Sequence, residues 1–98
     1  MRIELLDEAE KDLLEAYHFY EKQTPSLGHY FLDTLFSEID SLLLYAGIHA
    51  ETNGYHRMLS RRFPYAVYYR MTKNRVQVYA VLDCRKSPKR TQRRLRMK

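Results

Sequence analysis

Apolar residues recur every three to four positions through the first half of the chain and on a two-residue period through much of the second. Residues 2–6 predict a short strand. Asp7 and Glu10 then stand at the spacing of a helix-capping box, in which side chains satisfy free backbone N–H groups at a helix start. Ala9, Leu13, Ala16, Tyr17 and Tyr20 share one helical face, while Asp7, Glu8, Asp12 and Glu15 lie largely off it, predicting a helix over about 7–23. Thr24-Pro25-Ser26 ends that helix and offers Thr24 as N-cap and Pro25 as first residue of the next. Phe31, Leu35, Ile39, Leu42 and Ala46, flanked by Leu32, Phe36 and Leu43, form a broad apolar stripe on a second helix. That helix is expected to run to about Ala46, with Gly47 ending it. So short a connection predicts an antiparallel helical hairpin.

The second half reads as strands. Residues 56–62 suggest a basic strand, Phe63-Pro64 interrupts, and Tyr65 to Met71 suggests an aromatic-rich one. After a turn at Thr72-Lys73-Asn74, the segment from Arg75 to Leu82 alternates, with Val76, Val78, Ala80 and Leu82 on one side and Arg75, Gln77 and Tyr79 on the other. Ser87-Pro88 can start a last, strongly basic helix ending near Met97. The predicted class is α+β, in one domain over residues 1–98. An N-terminal strand is followed by an antiparallel helical hairpin packed on a mostly antiparallel three- to four-stranded sheet, and a short basic helix closes the chain.

Composition adds a polarity that the pattern does not show. Residues 1–49 hold three Lys or Arg against ten Asp or Glu, whereas residues 50–98 hold fourteen against two. A basic half of this kind suits nucleic acid or an acidic protein partner. The one cysteine, Cys84, excludes an intramolecular disulfide and a cysteine metal cluster. With no signal peptide and no membrane-length apolar run, a cytoplasmic location is expected. His18, His29, His49 and His56 lack metal-ligand spacing, and three glycines form no phosphate loop, so neither metal nor cofactor is expected. Of the nine tyrosines, Tyr17, Tyr20 and Tyr30 are expected to pack the helices, and Tyr65, Tyr68, Tyr69 and Tyr79 to pack on strands.

Several words of the sequence are informative in their order. They are Ala9-Glu10-Lys11-Asp12-Leu13, Tyr17-His18-Phe19-Tyr20-Glu21, Leu27-Gly28 with Phe31, Arg57-Met58-Leu59, Arg62-Phe63-Pro64-Tyr65-Ala66-Val67-Tyr68-Tyr69, Val76 to Leu82, and Arg85-Lys86-Ser87-Pro88. Together they resemble the ParE/RelE superfamily of toxins from type II toxin–antitoxin systems (plasmid stabilisation proteins), and ParE more than RelE. The resemblance implies a cytoplasmic toxin neutralised by a cognate antitoxin. In RelE-like members the activity is ribosome-dependent cleavage of messenger RNA. In ParE-like members it is inhibition of DNA gyrase, without catalytic residues. A degenerate, non-toxic member is a third possibility that the resemblance leaves open.

Chemistry separates the first two. Cleaving RNA at the 2′-oxygen needs a base for the hydroxyl proton, a cation for the phosphorane and an acid for the leaving oxygen. The cations are present, but no Tyr or His follows Tyr79, where RelE-like enzymes carry a proton-transferring residue. Asp83 is the only acid after Glu51. A nuclease would therefore use Arg57, Arg61 and Arg85 as cations and Asp83 as base. The rival role for Asp83 is an ion pair with a neighbouring arginine, which would weaken it as a base. The sequence therefore ranks a binding protein first, with Arg57, Arg61, Arg62, Arg85, Lys86 and Arg90 as its target-facing surface.

Overall fold

The computed structural model describes residues 1–96, so the expected helix end near Met97 lies outside the described residues. Strand β1 (Arg2–Leu5) leads into helix α1 (Asp7–Gln23), which is followed by α2 (Leu27–Asp40) and the one-turn α3 (Leu42–Tyr45). Strands β2 (Glu51–Thr52), β3 (Tyr55–Leu59), β4 (Tyr65–Met71) and β5 (Arg75–Asp83) precede helix α4 (Pro88–Arg96). The strands form one sheet in the order β1-β5-β4-β3-β2. Only β1 and β5 pair in parallel; the other pairs are antiparallel. The α+β arrangement matches the sequence expectation, but the sheet has five strands rather than three or four.

The extra strand is β2. It pairs with β3 across Asn53-Gly54, both at positive φ (55° and 84°), the conformation of a two-residue hairpin turn. The strand expected over 56–62 instead ends at Leu59, leaving Arg61 and Arg62 in a loop before β4. Ser60 Oγ accepts the backbone N–H groups of Arg62 and Phe63 there, satisfying donors that a strand would have paired.

The helix boundaries hold for α1, but its capping box does not form. Leu6 is the N-cap, without a side-chain hydrogen bond, and Asp7 is already the first helical residue. Nor do Thr24 and Pro25 start α2. Ser26, at φ 73°, occupies the cap position, and the Glu21 carboxylate accepts the N–H groups of Ser26 and Gly28 at 2.9 Å each. One helix thus caps the next. These bonds, that from Ser26 foremost, hold the Glu21 pKa below its ordinary value. The hairpin closes tightly, because a Cβ on Gly28 would lie 2.6 Å from the Tyr17 carbonyl oxygen. The expected helix to Ala46 is interrupted at Ser41 and ends at Tyr45. Ser41 Oγ donates to the Glu38 carbonyl at 2.6 Å, a back-bond that bends helices.

The main core lies between the hairpin and one face of the sheet. Leu13, Phe31, Leu35, Ile39 and Leu42 meet Val67, Tyr69, Val76 and Val78 there. The alternation expected along β5 breaks partway. Tyr69 pairs with Val78 but Tyr68 with Ala80, so Tyr79 is accommodated as a bulge. Beyond it the phase reverses: Val81, not Ala80 and Leu82, joins the main core. Ala80 turns to the opposite face, in a second cluster with Tyr55, Ala66, Tyr68 and Leu95 of α4, against which Leu82 packs.

Candidate functional site

The bulge decides where Asp83 points. Asp83 pairs in register with Tyr65, whose side chain belongs to the main core, so its carboxylate lies on the helix side of the sheet. There a groove of about 800 Å³ opens between α1, the end of β5 and α4. Asp12, Glu15, Ala16 and Phe19 form one wall, and Arg90, Thr91, Arg93 and Arg94 the other. Tyr65, Val81 and Leu82 line its floor, and Asp83, Arg85 and Lys86 close one end.

The ion pair considered for Asp83 is present. Arg85 Nε and Nη2 donate to the two carboxylate oxygens at 3.0 and 2.8 Å, and the Arg85 backbone N–H adds a third bond at 2.8 Å. The Arg85 side-chain bonds hold the Asp83 pKa below the usual carboxylate value, against the opposing effect of burial. The same pair raises the pKa of Arg85. Two phenols stand beside it. Burial pushes Tyr65 up to about 12, with Asp83 adding to the shift, and burial also raises Tyr20, against which Arg85 acts. Reading the chain from its end for a Tyr or His could not find these two, because they come from β4 and α1.

Across the groove, Asp12 is buried and fully used. Its Oδ2 accepts the Val81 N–H at 3.0 Å. That donor faces the edge of β5 beyond Val78, where β1 has ended. Arg94 makes a bidentate pair with the same carboxylate at 2.8 and 2.9 Å, and Glu8 lies 4.0 Å from it. The Arg94 pKa is raised, chiefly by these bonds from Asp12. This pair ties α4 to α1, whereas Leu95, its neighbour, plugs the opposite face of the sheet. Sequence reasoning named neither Asp12 nor Arg94 as a site residue, and nothing local marks a partnership across 82 positions.

Of the six expected target-facing residues, the fold brings Arg85, Lys86 and Arg90 together at the groove. Arg57 lies on the opposite sheet face, where it bonds the Tyr68 hydroxyl at 3.1 Å and reaches Cys84 Sγ at 3.6 Å. The bond to Tyr68 is the main cause of its raised pKa. Arg61 and Arg62 sit at the same end of the sheet but against α2. The Arg61 N–H bonds Glu38 at 2.9 Å, and Arg62 bonds the Tyr30 hydroxyl at 2.5 Å. That bond raises the Arg62 pKa and explains why Tyr30 is exposed rather than packed between helices as expected. The three nuclease cations, Arg57, Arg61 and Arg85, are thus spread over three different surroundings.

The sequence model of the family described as "ParE toxin of type II toxin-antitoxin system, parDE" matches residues 3–88. The chain belongs to that family. No curated protein matches it at a meaningful level. Among solved structures, it is similar to one titled "Chromosomal ParDE TA system from P. aeruginosa". The TM-score is 0.75 at 19% sequence identity, over 83% of this chain and 92% of that one. At that identity the likeness is one of fold. The family match stops at the start of α4. Among the described residues no helix is long and apolar enough to cross a membrane, and no group of three or more His, Cys, Asp or Glu is placed to hold a metal ion.

Proposed function

We propose that this toxin acts by binding and inhibiting DNA gyrase, and that a cognate antitoxin neutralises it. The observation that carries the reading is the state of Asp83. It is the acid that the last strand offers to a nuclease mechanism, and it is held ionised in a bidentate pair with Arg85. A base catalyst works best with a pKa near the working pH, so a carboxyl pushed below its usual value is poorly suited. Tyr65 and Tyr20 do not replace it. Both are buried, and their raised pKa values keep them protonated at neutral pH. Cations that hold and orient, without a group poised to move a proton, suit a protein that works by occupancy.

The antitoxin part of the proposal rests on family membership and on the hairpin's outer surface. Leu14 and Phe19 on α1 and Phe36 on α2 are exposed, as is Leu43 on α3. An amphipathic antitoxin helix would cover such side chains, with extended chain added along the sheet. The solved structure similar in fold is itself a toxin–antitoxin system by its title.

The test is titration of the purified toxin into gyrase acting on relaxed plasmid. Supercoiling should fall as toxin approaches stoichiometry with the enzyme. Undiminished supercoiling at excess toxin would overturn the proposal.

A further inference from the structure

The cations of the second half divide sharply by partner. Arg57, Arg62, Arg70, Arg75, Arg85 and Arg94 each bond a tyrosine, a carbonyl or a carboxylate. Arg61, Lys73, Lys86, Lys89, Arg90, Arg93 and Arg96 have no side-chain ion pair or hydrogen bond among the described residues, and all seven are exposed. Four of the seven lie on α4, at 89, 90, 93 and 96, and Lys86 lies two residues before it. Spacings of three and four place the four on α4 along one side of the helix, a ridge of about 10 Å at 1.5 Å per residue, with Lys86 in the turn that leads into it. Of the acids around the ridge, Asp83 and Asp12 are taken by Arg85 and Arg94, Glu8 lies 4.0 Å from Arg94, and the one other acid lining the groove, Glu15, leaves the five cations in excess.

We infer that this ridge of α4 is a binding surface for the phosphate backbone of duplex DNA. The proposal rests on the gyrase reading and adds that the toxin touches the enzyme's DNA as well as its protein. Charge complementarity is the first argument. The second is what the ridge lacks. An acidic peptide needs apolar anchors to offset the cost of ordering it. On α4 itself the apolar Leu95 is turned away into the sheet cluster and the exposed residues are Pro88, Lys, Arg and Gln, while the one exposed large apolar side chain of the adjoining groove, Phe19, stands across it on α1. Single-stranded nucleic acid needs exposed rings on which to stack bases. On the adjoining sheet face Tyr55 and Tyr68 are buried and Tyr79 is half-buried, and the groove beside α4 offers one exposed ring, Phe19, rather than a row of them. A stiff polyanion read through its backbone needs neither. The Asp12–Arg94 pair and Leu95 fix the helix from beneath, so the ridge is presented rather than dangling.

Binding of the full-length toxin to a fluorescent 20-base-pair duplex, without gyrase, tests this across a salt series. Neutralising about five phosphates predicts a slope of log affinity against log salt of about −4.5. The variant Lys86→Gln, Lys89→Gln, Arg90→Gln, Arg93→Gln, Arg96→Gln should bring the slope near zero and weaken binding at least about tenfold. Lys11→Gln, Lys22→Gln, Lys73→Gln removes charge elsewhere and should leave binding within about twofold. Circular dichroism checks that both variants fold. A five-fold variant that is folded and binds as the wild type would overturn the inference. So would tighter binding to polyglutamate than to the duplex. The supercoiling assay reads the other proposal separately. Inhibition without duplex binding sinks only this inference, and duplex binding without inhibition sinks only the gyrase reading.

Discussion

The two faces of the sheet are built to different standards. The helix-side face belongs to a core of fifteen buried residues drawn from α1, α2, α3 and three strands. The opposite face carries a cluster of five, and α4 contributes only Leu95 to it. On the first face stability comes from many apolar contacts, none decisive in kind. On the second, one leucine and one bidentate ion pair hold a helix that is otherwise almost wholly charged. The difference separates a broadly packed scaffold from a helix held at few points. Loss of contacts in the hairpin and sheet is expected to weaken the whole fold, and loss of those under α4 to loosen that helix alone.

The most damaging change to the scaffold is Phe31→Ala. Phe31 is fully buried and meets the rings of Tyr20, Phe63 and Tyr65. Removing it should cost about 3–5 kcal/mol in a denaturant titration, a large part of the stability of a small domain. Asp12→Ala strikes the joint between the two regions. It strands the Val81 N–H and the Arg94 guanidinium together. Arg94 is partly exposed and water takes up some of its charge, so about 2 kcal/mol is expected, below the usual cost of breaking a buried pair. Leu95→Ala should cost about 2 kcal/mol or less, and the loss should be local. Hydrogen exchange should show α4 amides losing protection while those of α2 keep theirs. Equal loss in both helices would erase the distinction drawn here.

The smallest expected effect is set by pH and belongs to the scaffold. Tyr69 Oη accepts the Gly47 N–H and bonds His49 Nδ1 at 2.6 Å, and His56 stacks on the Tyr69 ring. Burial, followed by the proximity of His56, holds the His49 pKa below its model-peptide value of 6.5. The folded state therefore binds a proton less readily than the unfolded one. Stability should be level above about pH 6.5 and decline as pH falls below it toward the folded-state pKa. A His49→Gln variant should flatten that decline in thermal melts taken between pH 7 and pH 5.

Most of the scaffold was legible in the sequence because its signals are local and periodic. The stripe Phe31, Leu35 and Ile39 gave the second helix and its buried face. The β2–β3 hairpin carried a signal that went unused, the Asn53-Gly54 dipeptide. Other features leave little or no local trace. The bulge at Tyr79 hides inside an alternation that looks unbroken, yet it reverses the phase of β5 and turns Asp83 toward the helices. The cap that Glu21 supplies to α2 replaces the expected role of Thr24 through contacts the spacing did not suggest. The tie between Asp12 and Arg94 depends on how the ends of the chain meet in space. The site was thus legible in its residue types, and its pairing was not.

The central proposal is a toxin that binds rather than cuts. Toeprinting of messenger RNA on translating ribosomes, with toxin in excess over the ribosomes, tests it most directly. Intact message is the predicted result. A-site cleavage by the wild type, lost in Asp83→Asn, would contradict it and make Asp83 a catalytic base despite its bond to Arg85.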